Sequence, residues 1–90
     1  MKKDGAYDRV IKMMEAVIND RTVPRNIRNA VEEAKKEVQR EGIEEEVKLA
    51  TAVQILDEIT NDPNMPLYTR TQIWNIVTQL EELRRIGTKK

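Results

Sequence analysis

Acidic side chains cluster in the segment LDEITND, which contains Asp57, Glu58 and Asp62. Paired carboxylates can act as general acid and base, or can bind a hard cation such as Mg²⁺. Asp57 and Glu58 are adjacent, so on a helix their side chains point about 100° apart, and Asp62 fits a turn. The sequence also lacks histidine and cysteine, which removes the commonest general base and every thiolate site. We therefore expect a solvated helix end here, and we predict no enzyme activity, no metal, no cofactor and no small-molecule substrate.

Basic residues form two groups that could contact RNA phosphates. The first group is Arg21, Arg25 and Arg28, and the second is Arg84, Arg85, Lys89 and Lys90. Sixteen Lys and Arg residues balance sixteen Asp and Glu residues, so the net charge is zero and no overall field draws the protein to nucleic acid. An RNA- or ribosome-associated role is therefore the alternative function and not the preferred one.

The single tryptophan, Trp74, has two readings. A lone tryptophan at helical spacing usually belongs to the core, and that is the default expectation. Together with Met65, Leu67 and Tyr68, however, Trp74 can form an apolar patch of the kind that protein interfaces use. We predict that Tyr68 is more exposed than Trp74, and we name Leu67, Tyr68 and Trp74 as possible interaction residues.

Four amphipathic helices with short connections must position these residues, because apolar side chains recur at spacings of three and four. The predicted helices cover about residues 5–19, 24–41, 43–61 and 65–86. The third has apolar residues on more than one face and should be the most buried. Gly42 should end the second helix. No run of apolar residues is long enough to cross a membrane, and residues 1–10 lack the features of a secretory signal, so we expect a cytoplasmic protein.

The segment NDRTVPRNIR at residues 19–28 returns as NDPNMPLYTR at residues 61–70, which indicates an internal repeat of forty-two residues. Four aligned pairs are identical: Asn19 with Asn61, Asp20 with Asp62, Pro24 with Pro66, and Arg28 with Arg70. Nine further aligned pairs are apolar in both copies. Thr22 and Asn64 are also aligned and are residue types that cap helix N-termini, while the prolines suit a first helical turn. The repeat therefore predicts two helical hairpins.

A helical hairpin with aspartate and proline at its turn and arginine early in its second helix resembles a HEAT repeat. In that family the aspartate and arginine form a hydrogen-bonded ladder between stacked repeats. The resemblance implies this role for Asp20, Arg28, Asp62 and Arg70. Since an open solenoid usually needs three repeats, we expect a compact four-helix bundle, or a dimer that extends the stack.

The chain as a whole resembles a small archaeal group, uncharacterised protein family 0147. The resemblance spans about residues 8–85 and rests on TVPRNIR, ATAVQILDEI and DPNMPLYTRTQIWNIV. It implies an all-helical cytoplasmic protein without an assigned activity. We therefore predict one all-α domain over residues 1–90, with antiparallel hairpins at about 6–41 and 43–86. The predicted function is a non-enzymatic protein-protein interaction or scaffold module, with another protein or a second copy as its partner.

Overall fold

The computed structural model describes residues 2–88, with side chains described for residues 5–86. The helices are α1 (Lys2–Ile18), α2 (Arg25–Val38), α3 (Glu45–Ile59) and α4 (Leu67–Thr88). No strand occurs between residues 2 and 88. The predicted all-α class with four helices is confirmed, although α2 ends earlier than its predicted limit of residue 41.

The four helices pack as a ring in which each helix contacts its two neighbours. The contacts are α1 with α2, α2 with α3, α3 with α4, and α4 with α1. The connections are short, so consecutive helices run antiparallel and the elongated bundle measures 40 × 20 × 19 Å. One end of the bundle, the turn end, contains the two hairpin turns at residues 19–24 and 60–66. The opposite end, the open end, contains the start of α1, residues 39–46 and the end of α4.

The two hairpins are related by an approximate twofold axis that runs along the bundle. The first helices of the hairpins, α1 and α3, run in the same direction at opposite corners, and so do α2 and α4. A helical solenoid instead places equivalent helices side by side along the stack. The contact between α1 and α4 closes the ring, so two hairpins suffice to enclose one core.

The core consists of aliphatic and methionine side chains from all four helices and both turns. Burying one such side chain stabilises the fold by roughly 1.5–3 kcal/mol. Six of the nine apolar pairs of the repeat are buried on both sides: Val10 with Ala52, Met14 with Leu56, Val23 with Met65, Val31 with Ile73, Ala34 with Ile76, and Val38 with Leu80. The inward faces of the two hairpins therefore match.

The expectation that the third helix is the most buried is not met. Helices α2 and α3 each contribute four buried residues. The additional apolar residues of α3, such as Ile55 and Ile59, pack against the border of the core and stay partly exposed. In a ring of four helices every helix has two neighbours, so none becomes central.

Charge and backbone conformation fit the helix ends. Glu45 and Glu46 lie in the first turn of α3, and Lys35 and Lys36 lie in the last turn of α2, each matching the sign that the helix dipole favours. The prediction that Gly42 ends the second helix is wrong, because α2 ends at Val38 and its C-cap residue is Gln39. Gly42 has a φ of 80°, which a residue with a side chain rarely adopts, and it shapes the turn between α2 and α3 instead. Among the described residues, no helix is long and apolar enough to span a membrane.

Candidate interaction surface

Each hairpin turn is organised by an aspartate. Oδ1 of Asp20 accepts hydrogen bonds from the backbone N–H of Thr22 at 2.9 Å and from its hydroxyl at 2.7 Å. Oδ1 of Asp62 accepts a hydrogen bond from the backbone N–H of Asn64 at 2.8 Å. These bonds favour the charged carboxylates and lower the pKa of both aspartates below its usual range. The repeated Asn-Asp pair thus gives the same turn twice.

The prediction that Thr22 and Asn64 cap the following helices is wrong. Both helices begin three residues later, and the hydroxyl of Thr22 donates to Asp20 instead. Pro24 is the N-cap residue of α2, and its carbonyl accepts the N–H of Arg28 at 3.0 Å. The carbonyl of Pro66 likewise accepts the N–H of Arg70 at 3.0 Å. The prolines therefore lie just before the helices rather than inside their first turns.

The repeated arginines bind backbone carbonyls of their own hairpins. Arg28 donates from Nε to the carbonyl of Val23 at 2.9 Å. Arg70 donates to the carbonyls of Thr60 and Asp62, the latter at 3.5 Å. Neither arginine forms an ion pair with the aspartate of its turn among residues 5–86. Each arginine ties its helix to its own turn, whereas the HEAT resemblance implies a ladder between repeats.

A different pair connects the two turns. The side-chain amide of Asn26, at the start of α2, donates to Oδ2 of Asp62 at 2.6 Å. The residue forty-two positions after Asn26 is Tyr68, and the one forty-two positions before Asp62 is Asp20. The described contacts include no matching bond between Tyr68 and Asp20. Sequence comparison misses the Asn26–Asp62 link, because an exposed asparagine at a helix start has many possible partners.

The outward face of the first half of α4, here called the α4 face, comprises the exposed residues Leu67, Tyr68, Thr71, Trp74, Asn75 and Thr78. Leu67 is 76% exposed, Tyr68 71% and Trp74 55%. The expectation that Trp74 belongs to the core is wrong, while the prediction that Tyr68 is the more exposed of the two is confirmed. Met65, at 5% exposure, belongs to the core and not to this patch.

The α4 face is also free of charge. Arg70 is the only charged residue between residues 67 and 80, and its guanidinium is directed to backbone carbonyls of the preceding turn. Leu67 and Trp74 are seven residues apart and therefore share one side of the helix, with Tyr68 beside them. Two aromatic rings and a leucine thus lie exposed on a helix face that has no charged residue.

The outward face of α2, here called the α2 face, occupies the equivalent corner and has the opposite character. Its residues, forty-two positions earlier, are Arg25, Asn26, Asn29, Glu32, Glu33 and Lys36. All six are exposed, as are their six counterparts on α4. The two faces therefore have the same geometry, and only α4 exposes large apolar side chains.

Most of the described basic residues have partners within the chain. Arg84 donates to Glu46 at 2.7 Å and to Glu81 at 3.3 Å, which joins the end of α4 to the start of α3. Arg85 pairs with Glu82. Arg21 and Arg25 are exposed at the turn end. The predicted basic residues Lys89 and Lys90 lie outside the described part of the chain.

The carboxylates of the LDEITND segment do not converge. Asp57 and Glu58 are exposed on α3, while Asp62 binds Asn64 and Asn26 at the turn. Within the described residues, no group of three or more acidic side chains is placed to hold a metal ion. Of these three carboxylates, only that of Asp62 takes part in the turn.

Comparison with known proteins places this bundle in a family. The family model described as "Uncharacterised protein family (UPF0147)" matches residues 1–83. The chain belongs to this family. It is 61% identical over 75 residues to UPF0147 protein MJ1419 of Methanocaldococcus jannaschii, covering 83% of this chain and 81% of that protein. The UPF0147 protein of Metallosphaera sedula is 46% identical over 81 residues, which cover 90% of this chain and 91% of that protein.

Two solved structures have the same fold. The crystal structure of MMP1188, a protein of unknown function, aligns with a TM-score of 0.83 and 47% identity, covering 94% of this chain and 90% of that one. The crystal structure of a UPF0147 protein from Thermoplasma acidophilum aligns with a TM-score of 0.85 and 31% identity, covering 90% of this chain and 95% of that one. This chain therefore shares its fold with both proteins, and the family is uncharacterised in function.

Proposed function

We propose that this UPF0147 protein is a non-enzymatic helical interaction module that binds a protein partner, either another protein or a second copy, through the α4 face. The observation that carries the proposal is the contrast between the two equivalent outward faces. The inward residues of α2 and α4 are buried alike, although the outward face of α2 is charged and that of α4 is apolar. We therefore infer that core packing does not require the apolar residues of the α4 face. Exposed Trp and Tyr side chains are the residue types that most often anchor protein interfaces.

Other features support a binding role over a catalytic one. The sequence has no histidine or cysteine, which makes acid-base, thiol and most metal-dependent mechanisms difficult. The hairpin turns with repeated aspartate, proline and arginine are HEAT-like in sequence, and HEAT hairpins commonly serve as binding scaffolds. We place this activity in the cytoplasm.

The test is an affinity capture from native cell extract at moderate salt, with and without nuclease. Three baits are compared: the wild-type protein, Trp74→Glu, and Glu32→Gln as the matched control on the α2 face. We expect a protein that the wild type and Glu32→Gln retain, that Trp74→Glu loses, and that nuclease does not release. Equal retention by all three baits would contradict the proposal.

An RNA- or ribosome-associated role is the second candidate, and it is supported by the exposed Arg21 and Arg25 at the turn end. Phosphate contacts weaken steeply as salt rises, whereas apolar helix packing does not. Release of every bound protein by nuclease, together with loss of binding in an Arg21→Gln, Arg25→Gln variant, would make this candidate the leading one.

A further inference from the structure

The α4 face continues toward the end of the helix into acidic residues. Leu67, Trp74 and Glu81 follow one another at intervals of seven residues and therefore lie along one line of the helix over about 21 Å. The line starts with an apolar residue at the positive end of the helix dipole, has the tryptophan at its midpoint, and ends with a carboxylate. Two copies of this line are complementary when the two helices run antiparallel.

We propose that the α4 face binds the same face of a second copy, with the two α4 helices antiparallel and Trp74 at the twofold axis. This inference rests on the proposed function and specifies its partner. Because Trp74 lies on the twofold axis, each residue of one α4 faces a residue of the other α4, and the two residue numbers add up to about 148. Trp74 lies against Trp74 of the second copy, and Leu67 lies against the methylene groups of Glu81.

Charge complementarity supports the antiparallel arrangement. The first turn of α4 contains no acidic residue, so its N–H groups and the helix dipole present positive charge there. Glu81 and Glu82 lie toward the other end of the line, where they pair with Arg84 and Arg85, and each keeps about half of its side chain exposed. Antiparallel pairing brings these carboxylates of one copy to the start of α4 in the other. Parallel pairing would place the carboxylates against each other.

The α2 face cannot pair in the same way. Glu32 corresponds to Trp74, so the same twofold axis would bring two copies of Glu32 face to face. Like charges placed opposite each other oppose association. The self-complementary pattern is therefore specific to α4, even though the backbone of the two hairpins repeats.

The area is sufficient for a reversible dimer. Buried aromatic side chains cover about 150–250 Å² each when fully enclosed, so the exposed parts of Leu67, Tyr68 and Trp74 supply roughly half of the ~800 Å² per partner of a standard interface. Thr71, Asn75 and Thr78 contribute further area between them. We expect a dimer that dissociates on dilution.

The first test is sedimentation equilibrium of the full chain from ~1 to ~500 µM. We expect a monomer-dimer equilibrium for the wild type, and a dissociation constant at least ~10-fold higher for Trp74→Glu, because central aromatic residues dominate interfaces. Glu81→Lys should also weaken the dimer, whereas Glu32→Gln should leave it unchanged. A wild type that is monomeric throughout this range would overturn the inference.

The second test fixes the orientation and uses the absence of cysteine in the sequence. In the antiparallel dimer, Thr71 of one copy faces position 77 of the other copy, which is next to Thr78. Two copies of Thr71 are instead ~9 Å apart along the helix axis. An oxidised equimolar mixture of Thr71→Cys and Thr78→Cys should form more disulfide dimer than either variant alone. The strongest crosslinking in either single variant would overturn the arrangement.

These results separate the inference from the proposed function. A monomeric wild type that still captures a protein through Trp74 would exclude the second copy as the occupant and retain the interaction module. A wild type that neither dimerises nor captures a protein through Trp74 would exclude both. A dimer that Trp74→Glu leaves intact would show that self-association uses another surface.

Discussion

Helices α2 and α4 occupy equivalent corners of the bundle. Their inward faces are both apolar and buried, whereas their outward faces differ in charge. Val31, Ala34 and Val38 of α2 are buried, as are their counterparts Ile73, Ile76 and Leu80 of α4. Outside, the α2 face has arginine, glutamate and lysine where the α4 face has leucine, tryptophan and threonine, respectively. The repeat therefore acts as an internal control: if folding required apolar outward residues, both α2 and α4 would have them.

The largest effect should follow from truncating the inward face of α4. Ile73→Ala removes a fully buried side chain and leaves a cavity, so it should lower the free energy of unfolding by ~2–5 kcal/mol. Its neighbour Trp74, changed to alanine, should have a much smaller effect, because that side chain is more than half exposed. Urea denaturation of both variants measures the contrast. A larger loss for Trp74→Ala would mean that the α4 face contributes to folding.

A smaller effect should distinguish the two repeated arginines. Arg70 donates to two backbone carbonyls and Arg28 to one, and both are partly buried. We expect Arg70→Ala to lower the free energy of unfolding by ~1–3 kcal/mol and Arg28→Ala by less, since a bond from a charged donor contributes ~1.5–3 kcal/mol before solvent screening. Denaturation of the two variants under one set of conditions provides the comparison, and equal losses would argue against the difference in their bonds.

A still smaller effect should follow from giving α4 the outward residues of α2. The double variant Trp74→Glu, Thr78→Lys copies Glu32 and Lys36, which have the spacing of a favourable ion pair. We expect the free energy of unfolding to change by no more than ~0.5 kcal/mol, because exposed pairs of this kind contribute little. Thermal unfolding at protein concentrations low enough for the dimer to dissociate measures this change in stability. A substantial loss of stability would show that the two corners are not equivalent.

The pH dependence of stability should test the aspartates of both turns. Hydrogen bonds lower the pKa of Asp20 and Asp62 in the folded state, so their stabilising contribution is present above the ordinary carboxyl pKa of ~3.9 and disappears as the pH falls through the lowered value. Asp20 and Asp62 each accept two hydrogen bonds. Between pH 7 and pH 2.5, Asp20→Asn and Asp62→Asn should therefore each lose less stability than the wild type. A steeper loss for either variant than for the wild type would contradict the assignment.

The sequence predicts the fold well because helical periodicity, the repeat and the family all indicate the same four helices. It predicts the site less well, for identifiable reasons. Trp74 satisfies the spacing of a buried residue next to Ile73, and only the orientation of α4 in the ring turns it outward. Thr22 and Asn64 have the chemistry of helix caps, but both helices begin three residues after them. The aspartate two residues earlier accepts the hydroxyl of Thr22 and, in the second copy, the backbone N–H of Asn64. The Asn26–Asp62 bond depends on how two turns meet, which no local pattern records.

The order of contacts around the ring has a consequence for the folding pathway. Three of the four helix contacts join helices that are consecutive in the chain, and only the contact between α1 and α4 links distant segments. Local contacts close short loops and form early, whereas the entropy of closing a long loop delays the remaining one. We expect α1 and α4 to dock last and to separate first, so that amide hydrogens on their shared side exchange faster than those between α2 and α3.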